Sequence, residues 1–214
     1  MTYFRFSRFL DSFPAMVFFA VALGVVLGMR TPIPEPAPLP AAHEPAPSAL
    51  EQQTNKEARL PATIEIPALN VRANIEHVGL DREGKMDIPK HPDDVAWYRF
   101  GARPGDTGNA VLAGHYDSET SPAIFFRLHE LREGDMIIIT DRGGREERFR
   151  VASKAEYSSA DVPLDKIFGK NNERRLNLIT CGGEFNESLP GYSHRTVVYT
   201  THDTSSTHRQ HASR

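Results

Sequence analysis

The stretch MIIITDRGGREERFRVASK, residues 136–154, reads as two strands folded back on each other. Met136–Asp141 and Glu147–Lys154 are apolar-alternating runs, and Arg142-Gly143-Gly144 between them supplies residues that tolerate the positive φ of a tight hairpin turn. The same signal recurs in both directions from there, in Ala62–Ile66, Val71–Val78, Ala110–His115, Leu176–Cys181 and Thr196–Thr201, with a further turn cluster at Asp81-Arg82-Glu83-Gly84. Leu60 to Thr201 is therefore expected to be an all-β domain, a barrel or a sandwich. One helix is predicted to interrupt it, because Ile124, Phe125, Leu128 and Leu131 recur at helical spacing and stop before Gly134-Asp135. A short helical turn is expected over Leu164–Phe168. No internal repeat is found.

The flanks read differently. Residues 1–12 carry Arg5 and Arg8, and residues 13–30 run uncharged from Phe13 to Met29 before Arg30. Such a run is long enough to cross a bilayer as a helix, and the upstream arginines favour a cytoplasmic N-terminus, which places the rest of the chain outside the cell. Ala20-Val21-Ala22 has the small-x-small form of a signal-peptide cleavage site, but cutting there leaves an apolar stub, Leu23–Met29, so an uncleaved single-pass anchor in the cell membrane is the favoured reading. Residues 31–59 are read as an extracytoplasmic linker whose first part has prolines at 32, 34, 36, 38, 40, 45 and 47 and so favours an extended polyproline spacer. Residues 60–201 form the folded domain, and the polar stretch 202–214 is expected to be a disordered tail.

With 214 residues, 39% of them hydrophobic and 25% charged, the chain has the composition of a single globular domain plus flanks. A net charge of −3 and the lack of any window joining Lys/Arg clusters to aromatics exclude a nucleic-acid partner. A single cysteine, Cys181, excludes an intrachain disulfide and a cysteine-based zinc site. The histidines lack metal spacing; His202, His208 and His211 fall in the polar tail, and no metal is expected.

Three residues carry candidate chemistry. Cys181 ends the run Leu176–Cys181 and is followed by Gly182-Gly183, so its thiol sits where a strand gives way to a turn. Alone, such a cysteine is more often a small buried hydrophobe than a nucleophile. His115 ends another run beside Gly114, which permits close backbone approach, and an imidazole there could exchange protons with a thiol. Arg195 heads the next strand after the cysteine, and its guanidinium could stabilise a developing oxyanion. All three lie at strand ends, the geometry that a converging site requires.

In Ala113-Gly114-His115, Leu178-Ile179-Thr180-Cys181 and Arg195-Thr196-Val197-Val198, in that order, the chain resembles the sortases. The resemblance spans roughly residues 61–201, with Ile64–Leu69 similar to the family's opening strand. It implies a closed eight-stranded β-barrel and a cysteine transpeptidase working without a cofactor. Cys181 would attack the Thr carbonyl of a Leu-Pro-x-Thr-Gly-like sorting signal on surface proteins or pilins, and the thioester would pass to an amine, a cell-wall precursor or a pilin lysine. His115 would be the general acid/base, Arg195 the oxyanion or substrate-orienting group, and Thr180 a substrate-holding residue. Two features depart from the commonest pattern. Asn177 stands where many members have Thr, and the Cys-Gly-Gly-x-Phe sequence at 181–185, with the short domain and the anchor, looks more like classes D, E or F than class A. No acidic cluster matches the calcium site of some members.

Other readings are weighed against this one. An L,D-transpeptidase usually has Arg soon after its cysteine, where this chain has Gly182-Gly183, and a papain-like protease usually has its cysteine before its histidine. A non-enzymatic β-barrel binding or adhesion module, tethered by the same anchor and with Cys181 buried and inert, remains the alternative.

Overall fold

The computed structural model describes residues 48–186 and 191–206. The expected membrane anchor, the prolines of the expected spacer, and His208 and His211 lie outside the described residues. Among those that are described, no helix is long and apolar enough to cross a membrane.

Eight strands make the domain: β1 (Pro61–Ile66), β2 (Val71–Val78), β3 (Val95–Tyr98), β4 (Gly108–Gly114), β5 (Met136–Asp141), β6 (Glu146–Ser158), β7 (Arg174–Asn186) and β8 (Gly191–His202). They close into a barrel in the order β1-β2-β3-β4-β7-β8-β6-β5, and β5 pairs back onto β1. The β2/β3 and β4/β7 pairs are parallel and the rest antiparallel. The expected hairpin at 142–144 joins β5 to β6, with Gly144 at φ +82. Asp81–Gly84 also turns, but the segments it joins make only the isolated bridge Leu80↔Met86 before the chain runs on to the parallel β3.

Period-two alternation fills the barrel. Ile64, Ile66, Ile137, Ile139, Phe149, Val151, Leu112, Leu176, Leu178 and Val198 point inward and form one buried cluster. A second cluster lies on the other face, where Val111, Val197 and Tyr199 pack with Ile167 of the short helix α2 (Leu164–Phe168). α2 was expected; it is tied down by Asn177 Nδ2, which donates to the Ile167 carbonyl at 2.8 Å, and by Asn109 Nδ2, which donates to the Gly169 carbonyl at 2.9 Å. The departure at position 177 thus has a structural use.

Three expectations are corrected. The helix predicted around Ile124–Leu131 is instead a series of turns with a 3-10 segment at Leu128–Glu130. The amides of Phe126, Leu128, Glu130 and Leu131 donate three residues back, to the carbonyls of Ala123, Phe125, Arg127 and Leu128, so the segment closes as tight turns and not as an α-helix. The apolar spacing still serves burial, since Phe125, Leu128 and Leu131 complete the barrel core. The tail begins later than expected, because His202 is the last residue of β8: its Nε2 lies 2.6 Å from Glu147 Oε2, and its ring packs edge-on against Phe149. Finally, residues 49–58 are not linker but a helix, α1, begun by a capping box between Ser48 and Glu51.

Gly114 shows why the end of β4 is built as it is. A Cβ there would come within 2.5 Å of Phe125 Cδ2 and 2.9 Å of Ile124 Cγ2. Gly114→Ala should therefore cost about 1–3 kcal/mol through overpacking. Urea denaturation checks this, and an unchanged midpoint would contradict the packing described.

Candidate active site

β7 is hydrogen-bonded on both edges, to β4 in parallel and to β8 antiparallel. On β4 the register runs Val111↔Asn177 to Ala113↔Ile179, and on β8 Cys181 lies opposite Arg195. Alternation then sorts the side chains. Leu176, Leu178 and Thr180 face the barrel interior, so Cys181 shares the outer face with Asn177 and Ile179. Arg195 shares that face with Val197 and Tyr199, and His115, one residue past β4, continues the series of Val111 and Ala113. The three candidate residues thus share one side of the sheet, His115 just past the end of β4, Cys181 within β7 and Arg195 within β8; the turn expected directly after Cys181 is not there, because β7 runs on to Asn186.

Thr180 does not join them. It is 4% exposed, and its hydroxyl donates to the Gly114 carbonyl at 2.8 Å on the interior face. In this position the side chain fixes the end of β4, from which His115 continues, against β7 one residue before Cys181.

His115 Nε2 lies 2.9 Å from the Pro89 carbonyl, which can only accept, so the proton sits on Nε2 and Nδ1 is left to exchange one. Pro89 belongs to the β2–β3 connection, and with Glu76, His77, Lys90, Arg99 and His115 it lines an open groove of about 820 Å³. Arg195 Nη1 donates to Ser159 Oγ at 2.8 Å and to the carbonyls of Tyr192 and His194 at 3.0 and 2.8 Å. Ser159 lies on the β6–β7 connection, so the guanidinium braces that loop as well as facing the thiol. Among the described residues, Arg195 Nε and Nη2 have no protein acceptor, which leaves donors for a substrate oxygen.

The electrostatics of the thiol are mixed. Burial pushes the Cys181 thiol above the ordinary cysteine value, the Arg195 cation pulls it down, and the Asp117 carboxylate pushes it up again. The resting sulfur is therefore a thiol at neutral pH. Three residues of this neighbourhood escaped the sequence reading. Asp117, two positions after His115, accepts a hydrogen bond from the Tyr192 hydroxyl, and this bond, with burial, pushes the phenol up to about 12. A carboxylate so soon after the candidate histidine was a visible signal; Tyr192 and Ser159 had none, since only the β7–β8 pairing and the loop path bring them in. Past Cys181 the ladder is bulged between Gly182 and Phe185, and Gly183 takes φ +78. Among the described residues, no group of three His, Cys, Asp or Glu side chains could hold a metal ion.

Comparison with known proteins gives the following. The family model described as the sortase domain matches residues 64–203. Among solved structures, a lid mutant of sortase A from Corynebacterium diphtheriae is similar at TM-score 0.53 and 24% identity, covering 71% of this chain and 74% of that one. Sortase C-1 from Actinomyces oris is similar at TM-score 0.54 and 20% identity, over 76% and 85% of the two chains. Sortase C1 from Streptococcus agalactiae is similar at TM-score 0.52 and 18% identity, over 67% of each. At these identities the likeness is one of fold. No curated protein matches.

Because Arg195 is what holds the thiol down, Arg195→Gln should move the pH profile of Cys181 alkylation to higher pH. Iodoacetamide labelling of the native protein across pH reads this directly; a profile that does not move would mean the guanidinium does not act on the sulfur.

Proposed function

The chain belongs to the sortase family of cysteine transpeptidases, and we propose that Cys181, His115 and Arg195 are the residues with which it cleaves an LPxTG-like sorting signal. The observation that supports this most is the shared outer face of three adjacent strands, with Cys181 opposite Arg195 in the β7/β8 register. A family of enzymes takes the place of the inert binding module as the reading of this barrel.

Cys181 sulfur, once it has given its proton to His115, attacks the Thr carbonyl of a Leu-Pro-x-Thr-Gly-like peptide. A C–S bond forms, the oxygen takes the electron pair, and the free donors of Arg195 stabilise it. When the C–N bond to Gly breaks, the leaving amine takes the proton that His115 holds, and a thioester remains on Cys181. An acceptor amine then attacks the thioester, and the sulfur leaves with its electron pair. Thr180 acts as a positioning residue through its bond to Gly114.

We further propose that residues 13–30 anchor the protein in the cell membrane with the N-terminus in the cytoplasm. The substrates would then be surface proteins or pilin subunits, and the acceptor a cell-wall precursor or a pilin lysine. What supports this is the uncharged run 13–29 behind Arg5 and Arg8, with a proline-rich spacer before the barrel.

Cys181→Ala should abolish cleavage of Leu-Pro-x-Thr-Gly peptides, and His115→Ala should nearly do so. Arg195→Ala should leave a folded protein with kcat reduced about 10²–10³-fold. Chromatographic separation of peptide products from the full chain and its variants tests all three. Cleavage retained by Cys181→Ala would contradict the mechanism.

A further inference from the structure

The acceptor raises an electrostatic problem that the thioester step does not. A primary amine reaches the site as an ammonium ion, and the fixed cation of Arg195 lies opposite Cys181 in the β7/β8 register. Something must offset that repulsion. Asp117 is the candidate: it lies two residues past His115, and it accepts from the hydroxyl of Tyr192, three residues before Arg195 on β8. The carboxylate therefore bridges the histidine arm and the cysteine–arginine hairpin. Tyr192 bonds Oδ2, and among the described residues nothing bonds Oδ1. Tyr116, Phe126 and Phe185 surround the pair, with Tyr192 edge-on to Tyr116 at 5.4 Å and to Phe185 at 5.3 Å. Phe185 is 61% exposed, so the carboxylate stands at an open rim with aromatic walls, suited to the alkyl stem of an ammonium.

We propose that Asp117, held in place by the Tyr192 hydroxyl, is the anchor for the ammonium group of the acceptor. This rests on the transpeptidase reading above. The independent support is that, among the described residues, Arg195 and Asp117 are the two charges that act on the Cys181 thiol, in opposite directions. In the step itself, the ammonium loses one proton to solvent and its nitrogen bonds the thioester carbon. The C–S bond then breaks with its electron pair on sulfur, and the second proton passes through His115 to the thiolate. The products are an amide and the free enzyme. Asp117 forms no covalent bond in this sequence; it favours acceptors that arrive as ammonium ions over acceptors that arrive neutral, and the nitrogen attacks only after its proton has gone.

The test compares two nucleophiles on the preformed thioester of the full chain: an alkylamine, protonated at neutral pH, and hydroxylamine, which is neutral there. Asp117→Asn keeps the Tyr192 bond and removes the charge. The ratio of alkylamine to hydroxylamine rate constants should fall about three- to fivefold, the scale of a partly screened ion pair. In the wild type the same ratio should decline as salt is added, which needs no variant at all. A structural role alone would slow both nucleophiles alike and leave the ratio unchanged, and that outcome, or a ratio insensitive to salt, would overturn the proposal. A thioester that never forms on Cys181 would overturn the transpeptidase reading as well, so the two failures are told apart.

Discussion

Everything at the site depends on β7 being paired along both edges. A parallel ladder to β4 and an antiparallel ladder to β8 overlap at Asn177–Ile179 and leave the residues just before Cys181 no freedom to slide, and the hydroxyl of Thr180 closes the β4 side by bonding the Gly114 carbonyl at 2.8 Å. In a strand, a slip of one residue would turn Cys181 into the core and Thr180 out to solvent. The inward set Leu176 and Leu178, fully buried with Leu112 and Val198, forbids that slip. The hydrophobic core thus fixes the direction of the thiol, although no core residue touches the chemistry.

A second constraint acts on the outer face. α2 covers Val111, Val197 and Tyr199 there, and the buried amides of Asn109 and Asn177 hold it to the sheet. A buried amide hydrogen bond lost on one side leaves an unsatisfied partner, so these contacts are specific as well as stabilising. The connection that carries α2 also brings Ser159 to Arg195. Loop, helix and guanidinium form one assembly around the sulfur, and burial there pushes the thiol above the ordinary cysteine value.

Much of this was legible in the chain. Seven of the strands were marked by alternation and bounded by turn residues, and His115, Cys181 and Arg195 stood out as reactive types at strand ends. β3, Val95–Tyr98, was missed because Val95, Ala96 and Trp97 are all buried and a four-residue strand covered on both faces shows no alternation. α1 was missed although its capping box, Ser48 and Glu51, was in plain sight beyond the prolines. The spacing of Ile124, Phe125, Leu128 and Leu131 predicted a helix and delivered a barrel cover, since burial constrains which side chains are apolar and not which carbonyl each amide finds. The face of Thr180 was readable in principle by counting in twos from Leu178. The Asp117–Tyr192 bond was not, because it depends on the path of two connections with no local sequence signal.

The central claim is that the adjacent strands β4, β7 and β8 build a nucleophilic site around Cys181. Intact-mass measurement of the full chain, quenched shortly after mixing with a Leu-Pro-x-Thr-Gly peptide and no amine, tests it most directly. The account predicts an added mass equal to the acyl half of the peptide, mapped to the fragment containing Cys181. Cleavage of the peptide with no adduct on that fragment, or an adduct on another residue, would contradict it.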